Sequence, residues 1–191
     1  MKFKNKQTIE IDRELSELDT FAIDFIKILH QHSPYVIISG YVAILLGRAR
    51  ASEDIDILIP KFDFSTFTRF YHDLKTSGFY CLNAEEDADV YDYLEEGLAI
   101  RFAKKDTVIP NIELKWAKNT LDDLSLKHTI NVKVQNETLC ISHLELQIAF
   151  KEKILQSPKD MDDAQHIREV AKEYLDIALI QKYKEMLHGF Y

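Results

Sequence analysis

The stretch Glu53-Asp54-Ile55-Asp56-Ile57 places two aspartates at alternate positions of an apolar segment. Alternate side chains of an extended strand share a face, so Asp54 and Asp56 point the same way and the isoleucines point to the other side. Two ionised carboxylates this close repel each other, and burying them without a counter-charge is unfavourable. A hard divalent cation such as Mg2+ is a suitable counter-charge, because it binds one or two carboxylates together with substrate phosphates. The pair is therefore the first candidate for a functional site.

The composition is that of an ordinary globular protein, with 46% hydrophobic and 29% charged residues in a chain of 191. This length suits one domain, or one domain with a small helical annex. No apolar run reaches the roughly 20 residues of a membrane-spanning helix, and residues 1–10 lack the apolar core of a secretory signal. Two cysteines, Cys81 and Cys140, are too few for a disulfide framework. We therefore expect a cytoplasmic protein that does not associate with a membrane.

Hydrophobic periodicity predicts an α/β fold in which several strands follow one another in the middle of the chain. Consecutive strands favour a mixed β-sheet over a repeated parallel unit. The predicted strands cover residues 35–39, 55–59, 79–82, 98–103, 109–116, 130–134 and 138–141. The predicted helices cover residues 12–32, 41–46, 63–77, 121–128, 144–156 and 160–187, and residues 85–96 form either loop or helix. We expect residues 1–141 to form the α/β core and residues 142–191 a C-terminal helical annex packed on it.

A second motif, Ser39-Gly40, precedes the aspartate pair where a predicted strand gives way to a short helix. Glycine lets the backbone approach a ligand closely, and the first N–H groups of a helix can bind phosphate. Taken alone, a glycine at such a turn is more often structural, and an aspartate pair in a strand is more often only solvated. The two motifs in this order are more specific than either one.

The order of these motifs resembles that of the nucleotidyltransferase superfamily, typified by the palm of DNA polymerase beta. The superfamily pattern is an apolar residue, Gly, and Gly or Ser, followed after a short gap by two acidic residues that alternate with apolar ones. This chain has Ile38-Ser39-Gly40, a gap of thirteen residues, and then Asp54-Ile55-Asp56-Ile57. Ser39 replaces the first Gly of the pattern, and Gly40 matches the second position. The resemblance implies a nucleotidyltransferase-like mixed β-sheet flanked by helices.

A narrower resemblance, over about residues 35–170, is to stand-alone nucleotidyltransferases related to abortive-infection (AbiEii-type) toxins. In that group an Arg and a Ser or Thr precede the aspartate pair, and a helical lysine, a basic residue with Asp, and a further Asp follow it. The matching residues here are Arg48, Arg50, Ser52, Lys151, Lys159, Asp160 and Asp163. The resemblance implies a catalytic role for Lys151. It implies nucleotide binding by Ser39, Gly40, Arg48, Arg50, Ser52, Asp160 and Asp163.

The superfamily usually takes a third carboxylate from a later strand, and Glu113 is the candidate for it. In the predicted strand around Glu113, the apolar residues share one face, so Glu113 faces the other side together with Asn111 and Lys115. The resemblance implies that Asp54, Asp56 and Glu113 are catalytic and bind the metal ions. The alternative is an exposed strand glutamate that pairs with Lys115.

The other charged residues also have plain structural interpretations. Surface arginines are usually solubilising, although Arg48 and Arg50 lie on the loop beside the aspartate pair and Arg offers a fork of donors to phosphate. Asp160 and Asp163 are three residues apart and share a helix face. They complement the positive N-terminal end of that helix, or they orient Lys151 beside the aspartate pair.

The resemblance implies transfer of a nucleoside monophosphate from a nucleoside triphosphate to an acceptor hydroxyl, with Mg2+ or Mn2+ as the cofactor in a two-metal mechanism. The acceptor classes it implies are the 3′ end of a transfer RNA, a partner protein and a small molecule, with a role in a toxin–antitoxin or defence system. The net charge of −8 disfavours RNA, because backbone binding needs a basic surface. The alternative is a catalytically silent relative that acts as a binding or antitoxin module with a toxin partner.

Overall fold

A mixed sheet organises the part of the chain that the structure, a computed structural model, describes, namely residues 1–187. Its strands are β1 (Lys2–Asn5), β2 (Thr8–Ile11), β3 (Val36–Ile38), β4 (Asp54–Ile59), β5 (Phe79–Cys81), β6 (Ile100–Lys104), β7 (Asn111–Trp116), β8 (Thr129–Val134) and β9 (Glu137–Ser142). They follow the order β1-β2-β8-β9-β3-β4-β7-β6-β5.

The helices are α1 (Glu17–Leu29), α2 (Gly40–Leu45), α3 (Phe64–Thr76), α4 (Asp87–Glu95), α5 (Thr120–Lys127), α6 (Leu144–Phe150), α7 (Pro158–Val170) and α8 (Ile177–Leu187). A π-helical turn over Lys151–Leu155 continues α6. The predicted α/β class and mixed sheet are confirmed.

Strand β4 lies in the middle of the sheet, antiparallel to β3 and parallel to β7. Its side chains Ile55 and Ile57 are fully buried on one face. On that face Phe25 of α1 and Phe70 of α3 pack on Phe102 of β6, with ring centroids 5.5 and 6.1 Å apart from it. The isoleucines and these rings belong to one close-packed core, which positions β4 and therefore the aspartates on its opposite face.

The residues at several helix ends explain where the helices begin. Ser16 and Asp19 form a reciprocal capping box at the start of α1. Asp63 accepts a hydrogen bond from a backbone N–H in the first turn of α3. Ser157 caps α7 in the same way, and Pro158 occupies the first turn, where its missing N–H is not needed.

The N-terminal segment differs from the sequence prediction. Residues 1–11, for which no element was predicted, form the hairpin of β1 and β2, and β2 extends the sheet by parallel pairing with β8. Ile9 and Ile11 are buried there. The apolar alternation within four-residue strands is too short to separate them from a polar loop.

The C-terminal segment also differs. The single helix predicted over residues 160–187 is two helices, because the chain turns after α7 and the Asp176 carboxylate accepts the Leu179 N–H to start α8. The helix predicted over residues 144–156 is α-helical only to Phe150. Residues 85–96, left open between loop and helix, contain α4. The division into a core and an annex at residue 141 stays a prediction. The last four residues of the predicted annex, 188–191, lie outside the described residues.

None of the helices in residues 1–187 has both the length and the apolar character required to span a membrane.

Candidate active site

The register between β4 and β7 brings acidic side chains onto the face of the sheet opposite the aromatic core. Asp54 and Asp56 occupy alternate positions of β4. Asp56 is paired with Glu113 of β7, and Asp54 with Asn111. Paired residues of neighbouring strands point to the same face, so Glu113 is the acidic neighbour of Asp56 across the strands.

Two cations share this face with the carboxylates. The Lys115 ammonium lies 3.1 Å from Asp56 Oδ1 and 2.5 Å from Glu113 Oε1. The Arg101 guanidinium donates to Glu113 Oε2 through Nε at 3.0 Å and Nη2 at 2.6 Å. Burial raises the pKa of Asp56 above its ordinary value, and Lys115 only partly opposes this shift. Burial acts the same way on Glu113, but Lys115 and Arg101 outweigh it and lower the pKa of that carboxyl. Glu113 is therefore well neutralised, whereas Asp56 is not.

The Asp54–Asp56 pair has the donor chemistry of a site for a hard divalent cation. Within residues 1–187, the Asp54 carboxylate accepts a hydrogen bond only from the Ser52 hydroxyl, 3.3 Å from Oδ1. Mg2+ takes oxygen ligands and commonly uses one or two protein carboxylates, with phosphates and water completing the shell. Two neighbouring carboxylates that have few other partners fit this requirement.

Glu113, the third predicted carboxylate, has more protein partners than Asp54. In the described part of the chain, no three His, Cys, Asp or Glu side chains form a group that could hold a metal ion. Both oxygens of Glu113 instead contact cationic side chains, one of them Lys115. A role of Glu113 as metal ligand stays a prediction, and the salt bridge to Lys115 is the contact that the alternative interpretation predicted.

The turn between β3 and α2 has an unusual backbone at Ser39. Its φ of +66° and ψ of −136° lie in a region that favours glycine. The Ser39 N–H donates to Gln147 Oε1 of α6 at 3.0 Å. At Gly40 the requirement is steric, because a Cβ there would lie 3.0 Å from two guanidinium nitrogens of Arg50. The turn therefore contains a strained serine followed by a glycine that makes room for an arginine.

Asp163 of α7 binds the two arginines of the loop before β4. It is fully buried and forms salt bridges with both Arg48 and Arg50, the latter at 2.6 Å. Arg48 also contacts Asp162 at 3.1 Å and the main-chain oxygen of Lys159 at 3.0 Å. These contacts join the loop to α7, so the two arginines are held in place rather than free in solvent.

Lys151 belongs to the same cluster. It is 1% exposed, and its Nζ lies 2.8 Å from Asp163 Oδ2 and 3.2 Å from Asp160 Oδ1. Burial lowers the pKa of Lys151, and Asp160 opposes the shift. Asp160 and Asp163 were each predicted either to complement the start of the helix or to orient Lys151, and both contact Lys151. Asp160 also lies in the first turn of α7, where it complements the helix terminus.

A cavity of about 390 Å³ adjoins the acidic face. Asp56, Lys115 and Lys151 line one part of it, together with Ser39 and Gln147. The rest is lined mainly by apolar side chains of β4, α5 and α6, among them Leu58, Leu121, Leu146 and Phe150. Its volume falls in the range of about 300–1,000 Å³ that is typical of small-molecule pockets.

Comparison with solved structures identifies the fold. The chain is similar to an antigenic nucleotidyltransferase-like protein from Paracoccidioides brasiliensis, at 14% identity and a TM-score of 0.53, over 88% of this chain and 85% of that one. It is also similar to the antibiotic-resistance factor ANT(2'')-Ia, at 12% identity and a TM-score of 0.58, over 90% and 91% of the two chains. A third similar structure is the lincosamide antibiotic adenylyltransferase LnuA, at 13% identity and a TM-score of 0.51, over 83% and 99%.

The chain therefore has the nucleotidyltransferase fold, as its motifs implied. No family model and no curated protein sequence matches it.

Three polar residues of the site were not predicted from the sequence as parts of it. Lys115 was considered only as a partner of Glu113, and its second contact, with Asp56, requires the alignment of β4 with β7. Arg101 lies directly opposite Glu113 in the antiparallel pair of β6 and β7, which only the register reveals. Gln147 reaches Ser39 across 108 positions of sequence, and no local pattern indicates such a contact.

Proposed function

We propose that this protein is a Mg2+- or Mn2+-dependent nucleotidyltransferase that moves a nucleoside monophosphate from a nucleoside triphosphate to an acceptor hydroxyl. The observation that carries the proposal is the aspartate pair of β4, of which Asp56 lines the same cavity as Lys151, in a chain with the nucleotidyltransferase fold. A structural carboxylate pair would be expected to have its own protein partners, and within residues 1–187 the Asp54 carboxylate accepts only the Ser52 hydroxyl.

Asp54 and Asp56 would hold the divalent cation, which neutralises triphosphate charge and activates the attacking hydroxyl when bound. The Ser39 hydroxyl and the Gly40 backbone would contact the triphosphate. Lys151 would stabilise the negative charge that develops during transfer, since a preorganised cation in a buried site is more effective than one in water.

The remaining predicted residues would position this machinery. The Ser52 hydroxyl contacts both the main-chain oxygen and the carboxylate of Asp54, at 2.9 and 3.3 Å, and so limits the rotation of that side chain. Arg50 lies against Gly40 and would add a guanidinium to the triphosphate site. Arg48 would act through Asp163, which also orients Lys151.

The cavity favours a small molecule as the acceptor. Its apolar lining and limited volume suit a compact ligand that presents one hydroxyl towards Asp56 better than a strand of RNA. Two of the similar structures contain small molecules by name: adenylyl-2''-tobramycin with ANT(2'')-Ia and lincomycin with LnuA. The pattern of Lys151, Asp160 and Asp163 supports kinship with the abortive-infection relatives, whose acceptors include transfer RNA and partner proteins.

The test is to incubate the protein with each α-labelled nucleoside triphosphate, Mg2+ and a cell extract separated into small-molecule, RNA and protein fractions. Label in the small-molecule fraction is the expected result. Asp54→Asn with Asp56→Asn should abolish the transfer, whereas Asp92→Asn on the exposed face of α4 should leave it unchanged. Full transfer by the double variant would refute the proposal.

The alternative function is a silent binding module, with a toxin or antitoxin as its partner. A protein complex that forms equally well with the Asp54→Asn and Asp56→Asn variant, in the absence of any nucleotide binding, would favour that module. Calorimetric binding of a nucleoside triphosphate that requires Mg2+ and the two aspartates would favour the enzyme.

A further inference from the structure

We propose that the Lys115 ammonium takes the place of a second metal ion between Asp56 and Glu113, so that the chain binds a single divalent cation with its nucleotide. The inference rests on the proposed function, and it departs from the two-metal arrangement that the sequence resemblance implies.

The sheet register explains why the ammonium lies between these two carboxylates. Asp56 and Glu113 are paired across β4 and β7, and Lys115 is two residues beyond Glu113 on the same face. Its Nζ reaches back to both carboxylates, at 3.1 Å from Asp56 Oδ1 and 2.5 Å from Glu113 Oε1. The ammonium is a compact positive charge between two carboxylates, and it therefore occupies the position that a divalent cation would otherwise take.

The other oxygen of Glu113 is also occupied. Arg101 donates two hydrogen bonds to Oε2, at 3.0 and 2.6 Å. Both oxygens of Glu113 thus have a cationic partner in the protein. A metal ion bound by Glu113 would have to displace an ammonium from a carboxylate that is 11% exposed. The incoming ion would therefore have to offset the loss of a partly buried salt bridge, whose lysine is 31% exposed.

Asp54 is the carboxylate that this arrangement leaves free. Within residues 1–187 its side chain accepts only the Ser52 hydroxyl, and Asp56 uses Oδ1 for Lys115. One cation can therefore be shared by Asp54, the second oxygen of Asp56 and the phosphates. Lys115 would supply the remaining positive charge on the acceptor side, because it lines the cavity beside Asp56.

The experiment counts bound Mn2+ by electron paramagnetic resonance, in the presence of a saturating non-hydrolysable ATP analogue. Wild-type protein is expected to bind one Mn2+ per chain. Lys115→Met removes the ammonium but keeps a side chain of similar length, and it is expected to bind two. Arg101→Met is the matched control, since it removes the other partner of Glu113 and leaves Lys115 between the carboxylates, and it is expected to bind one. Lys115→Gln serves if the Met variant does not fold.

Two Mn2+ ions in the wild type would overturn the inference while leaving the proposed function intact. A single ion in both Lys115 variants would also overturn it, because Lys115 would then not be what excludes the second ion. Absence of any Mn2+ and nucleotide binding, when the analogue of each nucleoside triphosphate is tried in turn, would instead refute the proposed function together with the inference. The three failures give different counts and are therefore distinguishable.

Discussion

Asp19 and Asp56 are the same residue type in two polar clusters, and their pKa values move in opposite directions. Asp19 is fully buried and accepts hydrogen bonds from Arg13, from the Ser16 backbone and hydroxyl, both at 2.7 Å, and from the Tyr41 hydroxyl at 2.6 Å. Burial would raise the pKa of Asp19, but these donors outweigh it and lower the pKa to about 2. Asp56 accepts from Lys115, and burial raises its pKa.

The two aspartates differ in how many hydrogen-bond donors the protein provides for the carboxylate. Asp19 ties the start of α1 to Tyr41 of α2, and every strong donor it needs is provided by the fold. Asp56 is held beside Asp54 by the strand itself, and its contact with Lys115 does not offset the burial of its charge. A carboxylate whose ionised form the fold does not fully stabilise is suited to bind a cation from solution.

The largest expected effect on stability separates the two aspartates. Asp19→Asn should lower the free energy of unfolding by about 2 kcal/mol, because a pKa that falls from 3.8 to about 2 on folding corresponds to that amount at 1.36 kcal/mol per unit. Asp56→Asn should leave the free energy of unfolding unchanged or raise it, because the charged form is disfavoured in the fold. Chemical denaturation of both variants at pH 7 measures this. Equal losses would remove the distinction between the clusters.

The same comparison predicts opposite pH dependences. A lowered folded-state pKa stabilises above the unfolded value, so the contribution of Asp19 is complete above about pH 4 and is lost as the pH falls towards 2. A raised folded-state pKa acts the other way, so the advantage of Asp56→Asn should be present at neutral pH and disappear as the pH falls below the folded pKa of Asp56.

The next effect is on catalysis and concerns the buried cluster of Lys151. Lys151→Met keeps the volume of the side chain and removes its charge, and we expect transfer to fall about 100-fold, as for other preorganised donors. Asp163 keeps its salt bridges to Arg48 and Arg50, so the variant should remain folded. Lys153→Met is the control, since Lys153 lies on the same turn without a salt bridge in the described chain, and steady-state rates should match the wild type. Unchanged turnover in Lys151→Met would make the cluster purely structural, like that of Asp19.

Most of the fold could be predicted because its signals are local. The isoleucines that alternate with Asp54 and Asp56 and the cap at Asp63 each act within a few residues. The hairpin of β1 and β2 was missed because its strands are short and its pairing with β8 joins segments more than 100 positions apart. The break between α7 and α8 was missed because the apolar period continues through it.

The site was only partly predictable for the same physical reason. Motif order identified Asp54, Asp56 and the Ser39-Gly40 turn, since each is a short pattern with a defined spacing. The partners that set the charge state of the carboxylates depend on register. Arg101 is opposite Glu113 only because the loop between β6 and β7 has the length that places it there. A one-residue slip would move Arg101 to the other face of the sheet.

The smallest expected effect concerns Ser39, which has a strained backbone. Substitutions there test whether Ser39 contributes to stability or to ligand binding. A non-glycine residue at a φ of +66° and ψ of −136° is strained by about 1–3 kcal/mol. Replacement by glycine relieves this strain but adds about 0.5–1 kcal/mol of backbone entropy to the unfolded chain. Ser39→Gly should therefore raise the free energy of unfolding by about 1 kcal/mol.

Ser39→Ala is the matched control, because it keeps the strain and removes the hydroxyl, which makes no hydrogen bond to the residues that the structure describes. If the hydroxyl contacts the triphosphate, both variants should bind a non-hydrolysable nucleoside triphosphate more weakly, and only Ser39→Gly should be more stable. Calorimetry and denaturant melts separate the two quantities. Normal nucleotide affinity in both variants would place Ser39 with Asp19 as a structural residue, and the strained turn would then have no role in binding phosphate.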